Sequence, residues 1–245
     1  MQYGQPSFHV PPLTKTNKYL LIALVACFLI QSAAKLAFNF SPEIVFGLSG
    51  GQFFNGSIYQ FFTYPLVQPG FFNMLFNGLV LWFFGSDLES KWGDKFYLKF
   101  LGTSVLGGAI LYLAIVSIMP SSSVFLTPLL GIQGICFSIL VAYGILNSEA
   151  IIPFMLIFPM KAKYFCLLLI GIQLYSGIFA EGGKASWGHL GAMAAGFLFL
   201  KYQTDKSKKN KKKIKVTYKT DGQSSHLRLV KDEDKADPKK PKFWQ

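Results

Sequence analysis

The fold class that the sequence predicts is an all-α membrane protein, six transmembrane helices in one bundle with a disordered basic C-terminal tail. Three observations carry it. Hydrophobic residues make up 51% of the 245 and charged ones only 15%, where a soluble domain carries about 25% charged residues. Ile44 to Ser86 and Phe100 to Ser148 contain no ionisable side chain other than tyrosine and cysteine, and a helix that crosses a bilayer needs about 20 mostly apolar residues. The charges are segregated as well: residues 1–200 hold nine lysines and six acids, residues 201–245 fifteen basic residues and six acids, so most of the net +12 belongs to the C-terminal stretch.

In chain order, residues 1–17 read as a cytoplasmic N-terminal segment, 18–203 as the membrane domain and 204–245 as a cytoplasmic tail. Spans are expected at 18–38, 68–86, 97–119, 128–147, 162–180 and 185–203. The first, "YLLIALVACFLIQSAA" behind Lys15 and Lys18, has an apolar run too long for a signal-peptide core and reads as a retained helix. Orientation follows from the positive-inside rule: Lys15, Lys18, Lys91, Lys95, Lys99, Lys161, Lys163 and the tail fall on one side, Lys35 and Lys184 on the other. Six helices with both termini in the cytoplasm satisfy that pattern. Segment 39–67 then faces outward, and "FFNGSIYQFFTYPLVQPGFF" is aromatic enough to lie in the membrane interface. Tyr59, Gln60 and Trp92 read as interfacial anchors.

The tail has few apolar residues to bury and reads as largely disordered. Its lysine cluster, Lys206 to Lys215, directly follows the last span, where each cation gains about 1 kcal/mol near anionic headgroups. Lipid attraction and positive-inside bias account for the cluster, so no nucleic-acid partner is expected. Cys27, Cys136 and Cys166 lie in apolar runs without CxxC or metal-ligand spacing and read as buried thiols. No cofactor or metal is expected.

Polar side chains inside a membrane are costly enough to mark function. Asn73 and Asn77 in the second span share a helical face through their spacing of four. Gln133 and Ser138 lie in the fourth span, Gln173 in the fifth and His189 in the sixth. Small residues accompany them: Gly131, Gly134 and Ser138 in the fourth, with Gly188, Gly191, Ala192, Ala195 and Gly196 in the sixth. Gly134/Ser138 and Ala192/Gly196 have the small-xxx-small spacing that lets two helices approach closely, which brings the faces bearing Gln133 and His189 together.

The segments "FTYPLVQPGFFNMLFNGLVLWFFGSDLESKWG", "GIQGICFSILVAYG", "FPMKAKYF" and "GHLGAMAAGF", in that order, resemble the rhomboid intramembrane serine proteases (peptidase S54-like) over residues 15–203. The resemblance implies a six-helix rhomboid-like bundle with a cavity opening outward and a lateral gate near the fifth helix. It also implies a serine in a G-x-S-G segment on the fourth helix, a histidine base on the sixth, and a histidine and an asparagine holding the oxyanion on the second. By position His189 matches the base and Asn77 the asparagine, while Gly131 and Gly134 frame the nucleophile. Phe137 stands where the family often has a tyrosine packing on the base. Two positions depart: Gln133 replaces the serine and Asn73 replaces the second-helix histidine.

A carboxamide is not a nucleophile. Its nitrogen lone pair is delocalised into the carbonyl, so His189 has no proton to remove that would create one. No catalytic set is therefore intact, and Gln133, His189, Asn73 and Asn77 read as a vestigial site. Cys136, three residues on, is an alternative nucleophile, but an ordinary buried thiol is inert. Water oriented by Gln133 is a weaker one, and Asn73 and Asn77 accelerate nothing until a nucleophile arrives. Purely structural roles stand beside these. Gln133 is expected to hydrogen-bond His189 or Asn77 across the core, worth about 0.6 kcal/mol on average in membrane interiors. His189 then reads as a satisfied core histidine, and Gln173 as a bond to a neighbouring helix or a cavity lining.

The function that the resemblance implies is a pseudoprotease binding transmembrane segments of client proteins, the role attributed to inactive rhomboid relatives such as the derlins. Two other classes stay open: an active rhomboid-type endopeptidase using a non-standard site, and a membrane scaffold acting through its tail. The expected partners are transmembrane segments and anionic headgroups. The expected location is a bacterial inner (plasma) membrane.

Overall fold

The computed structural model describes residues 11–118, 127–154, 158–180 and 183–212. Helices dominate. The first is α1 (Lys15–Phe38), and three short helices follow, α2 (Pro42–Phe46), α3 (Gly50–Phe54) and α4 (Gln60–Thr63). Next come α5 (Phe71–Val80) and α6 (Ser86–Trp92), joined by a π-helical turn at Leu81–Gly85, and then α7 (Asp94–Ile118). Further along the described residues come α8 (Gln133–Leu146), α9 (Ala162–Phe179) and α10 (Ala185–Lys212). The described residues up to Leu200 form one compact unit, and those from Lys201 to Lys212 belong to a second. Among the described residues, Lys15–Phe38, Phe71–Trp92, Asp94–Ile118 and Ala162–Phe179 are long and apolar enough to cross a membrane, and Gln133–Leu146 is a shorter apolar helix.

Helix occurs within each expected span, but the boundaries move for identifiable reasons. The span expected at 68–86 starts only at Phe71, after Pro69 and an extended Gly70. It then continues beyond Asp87 to Trp92. Charge ends an apolar run without ending a helix, because Glu89 is satisfied from outside. Its carboxylate accepts from the backbone N–H of Thr16 (2.8 Å) and of Asn17 (3.0 Å), from the Asn17 amide (2.8 Å) and from the Thr14 hydroxyl. These are donors of the first turn of α1, which no intrahelical carbonyl can serve. An acidic side chain from another helix caps them and meets the positive end of the dipole. Tyr97 completes the assembly by donating to Asn17 Oδ1 at 3.0 Å.

The span expected at 128–147 shortens at its N-terminal end to Gln133–Leu146. Leu129 is held in an antiparallel bridge with Leu48. Gly131 adopts φ +77°, a left-handed conformation that only glycine takes without strain, and its N–H donates to the Tyr64 carbonyl at 2.9 Å. The all-α expectation is corrected at one place. After Glu149 the chain forms an antiparallel hairpin, β1 (Ile151–Phe154) with β2 (Phe158–Lys161), in which Pro153 pairs with Pro159. Proline in a helix interior removes a hydrogen bond and clashes with the preceding turn, so this apolar run takes strands. Thr204 to Lys212, expected as disordered tail, continue α10, since straight-chain polar residues extend a helix that is already nucleated. The rest of the expected tail, including residues 213–215 of the lysine cluster, lies outside the described residues.

The core is organised around α10 and its small residues. A methyl group on Gly191 would sit 2.4 Å from the Gly107 carbonyl oxygen, and one on Gly107 would sit 2.1 Å from Cβ of Ala195. Backbones of α7 and α10 are thus in direct contact. Gly196 faces Ser138, whose hydroxyl hydrogen-bonds Ser104 at 2.8 Å and ties α8 to α7. Leu88, Tyr97, Phe100 and Ile139 share one buried cluster of the bundle, and Tyr112 belongs to a second.

In the segment after α1, Tyr59 is exposed and donates to the Val45 carbonyl at 3.0 Å. Gln60 is corrected from interfacial anchor to fully buried. Its amide donates to Val45 O (3.0 Å) and to Gln52, and its carbonyl accepts from Ser49 N (3.3 Å). Three short helices leave backbone groups unpaired, and a buried amide supplies partners for two of them. Trp92 is half-buried and packs on Phe96 and Phe100. Cys136 and Cys166 are buried thiols, whereas Cys27 is corrected to half-buried because α1 turns most of its surface outward.

Candidate functional site

Gln133 is the first residue of α8, directly after the left-handed Gly131 and the cap Ile132. It is half-buried, and among the described residues its carboxamide has no hydrogen-bond partner. Gly134, the next residue, is where α8 meets α10. A methyl group there would lie 3.4 Å from His189 Cα, 3.5 Å from His189 Cδ2 and 3.2 Å from Cβ of Ala192. Glycine at 134 therefore sets the distance between the start of α8 and the imidazole. The small-residue pairs expected from the sequence do meet, Gly134 against Ala192 and Ser138 against Gly196. Gly188 packs on Leu129.

His189 is only 8% exposed. Its Nδ1 lies 3.0 Å from Gln173 Oε1 on α9. An amide oxygen only accepts, so with the Gln173 amide in this orientation Nδ1 is the donor. Phe137, one turn after Gln133, sets its ring edge-on to the imidazole, with centroids 5.4 Å apart and planes at 71°. The ring is thus gripped by α9 through Nδ1 and by α8 through Gly134 and Phe137.

A second polar set lies beside this one. Asn77 is buried on α5, and its amide donates to Gln68 Oε1 at 3.3 Å. Gln68, 1% exposed, donates from its own amide to the Pro65 carbonyl (3.0 Å). Through its backbone it exchanges two bonds with Gln31 of α1: its N–H donates to Gln31 Oε1 (3.1 Å) and its carbonyl accepts from Gln31 Nε2 (2.5 Å). Gly131 lies over it, a methyl group there standing 3.4 Å from Gln68 Oε1. Gln31 and Gln68 therefore anchor the turn that leads into α8. Both were legible by the criterion that marks Gln133, an uncharged amide within an apolar run, and the reading from sequence passes over them.

The bond expected between Gln133 and His189 or Asn77 is corrected. Gln133 bonds neither: His189 bonds Gln173 through Nδ1, and Asn77 bonds Gln68. Asn73 is corrected as well. It sits in the first turn of α5, exposed, with no hydrogen-bond partner among the described residues. Sharing a helical face with Asn77 still leaves it a full turn, about 5.4 Å, further along the axis. Of the expected vestigial site, Gln133 and His189 flank Gly134, Asn77 belongs to the neighbouring amide set, and Asn73 stands apart.

Cys136 is no substitute nucleophile. Its thiol, 2% exposed among Leu24, Leu81 and Ile139, is directed at the Asn77 carbonyl oxygen 3.6 Å away. Among the described residues no three histidine, cysteine or acidic side chains gather to hold a metal ion. The arrangement offers an imidazole held by one amide, with a second, unengaged amide at the start of α8. That is equipment for hydrogen bonding.

A family model described as eukaryotic integral membrane protein (DUF1751) matches residues 18–226. No curated protein matches the chain. The match overturns the bacterial inner membrane expected above and keeps the integral membrane character. Hydropathy and lysine placement obey the same physics in either kind of cell, so the sequence features used to locate the chain in a membrane do not discriminate between them.

Proposed function

From the premise that the chain belongs to the eukaryotic integral membrane protein family, we propose that it is a rhomboid-like pseudoprotease that binds transmembrane segments of client proteins. Helices α1, α5 with α6, α7, α8, α9 and α10 are its six spans, residues 18–203 its membrane domain, and the lysines from Lys206 onward its contact with anionic headgroups. One observation supports this reading above the others: the start of α8 presents an amide beside a histidine whose Nδ1 is bound to Gln173. A hydrolase of the serine type needs an ionisable hydroxyl there to give its proton to the imidazole, and the Gln133 carboxamide offers none. Without one, the same groups grip a polar backbone or side chain and release it uncut.

The test uses purified full-length protein in lipid vesicles with a model transmembrane peptide carrying a photo-crosslinker. The wild type is expected to crosslink the peptide, to leave it intact and to resist fluorophosphonate labelling. Cleavage by the wild type that disappears in His189→Ala would sink the proposal, as would the absence of any crosslink. Gln133→Ser is the companion variant: fluorophosphonate labelling of it would mark the rest of the site as a preserved protease frame.

A further inference from the structure

We infer that Gln173 is a positioning residue that fixes the imidazole tautomer of His189, so that the site selects client segments carrying a hydrogen-bond donor at membrane depth. The inference rests on the client-binding reading and names what that site recognises. Because Oε1 of Gln173 accepts from Nδ1 at 3.0 Å, the remaining nitrogen of a neutral imidazole, Nε2, carries a lone pair and no proton. Nδ1 faces α9. Cδ2, the ring atom bonded to Nε2, faces α8, 3.5 Å from where a methyl group on Gly134 would stand. The bare nitrogen therefore lies on the edge of the ring turned towards α8, which begins at Gln133.

Two further observations point to an incoming group. Among the described residues Nε2 of His189 has no partner, and it is not among the sealed buried polar atoms, of which Ser86 Oγ is the one described. The Gln133 carboxamide is likewise unengaged and half-exposed. An unused acceptor left open on a side chain that is more than nine-tenths buried is a place for an incoming donor to bind. A hydroxyl or amide donor on a passing helix satisfies it, whereas an acceptor does not. Serine, threonine, asparagine or glutamine in the middle of a client segment fits, and the Gln133 amide supplies both a donor and an acceptor for the rest of that group. Phe137, edge-on to the ring, keeps the imidazole from swinging away.

The experiment compares two synthetic peptides, each an alanine-leucine helix of about 20 residues, one with serine at its centre and one with alanine. Both carry the same photo-crosslinker and are offered to the full-length protein in phosphatidylcholine vesicles. The serine peptide is expected to crosslink roughly threefold better, the ratio that one membrane hydrogen bond of average worth gives. His189→Ala and Gln173→Leu should both abolish that preference. Equal crosslinking of the two peptides to the wild type overturns the inference and leaves client binding standing; no crosslinking of either overturns both.

Nitrogen NMR of the protein with labelled histidine gives a second readout that a merely structural role for Gln173 would not move. The wild type is expected to show His189 Nδ1 protonated and Nε2 bare, with Gln173→Leu giving mixed tautomers. Nε2 protonated in the wild type overturns the inference irrespective of the peptides.

Discussion

Glu89 and Asn17 are seventy-two positions apart in the chain and joined twice, Asn17 donating from its backbone at 3.0 Å and from its side chain at 2.8 Å to the same carboxylate oxygen. The pair locks the start of α1 to the end of α6 and leaves Asn17 fully buried. Glu89→Ala strands the Thr14, Thr16 and Asn17 donors together. The expected loss is on the order of 3 kcal/mol, because hydrogen bonds to a charged acceptor are the strong ones and their buried donors find no replacement. Thermal unfolding in detergent measures it. Glu89→Gln should fall between, since its NH₂ group then faces donors rather than accepting from them. A melting temperature unchanged in both variants would contradict the capping role.

Helix contact through glycine makes a contrasting pair of substitutions. Gly191→Ala drives a methyl group to 2.4 Å from the Gly107 carbonyl and 2.6 Å from Leu111 Cβ, atoms that move only if α7 and α10 separate. The expected destabilisation is about 1–3 kcal/mol, the range for overpacking a close-fitted core. Gly102→Ala, on the same α7, meets nothing within 4 Å, so it should stabilise by about 0.5–1 kcal/mol through helix propensity. Opposite shifts in the melting temperature of the two variants are the expected outcome.

At the base of the hairpin, Glu149 bonds Lys161 at 2.7 Å and Lys163 at 2.5 Å, and these bonds hold its carboxyl down at about 2. A carboxylate whose folded value lies below its ordinary 4.5 contributes stability that is complete above 4.5 and fades as pH falls towards 2. Hairpin anchoring should therefore be indifferent to pH from 7 to 5 and weaken only below that. Hydrogen exchange of the amides around Ala150, whose carbonyl accepts from Ala162, reads this out. Protection that drops between pH 7 and 5 would assign the anchoring to some other group. In Glu149→Gln the acid-dependent step should vanish.

Much of the fold was legible because its driving force is one-dimensional. Apolar runs free of charge gave helices, and the spacing of Gly134, Ser138, Ala192 and Gly196 gave the contact between α8 and α10, since a helix fixes which residues share a face. Pro153 and Pro159 carried a legible warning against helix, and Gly70 after Pro69 another. The reach of α6 beyond Asp87 was not legible, because whether a carboxylate is tolerated at Glu89 depends on Thr14, Thr16 and Asn17 arriving from elsewhere.

The candidate site divides in the same way. Chemistry belonged to the sequence alone: a carboxamide at Gln133 and an imidazole at His189 have fixed donors, acceptors and nucleophilicity wherever they sit. Pairing belonged to the tertiary structure. His189 bonds Gln173 and Asn77 bonds Gln68, because a hydrogen bond needs its partners within about 3 Å in the right direction, and that geometry exists only once the helices have packed.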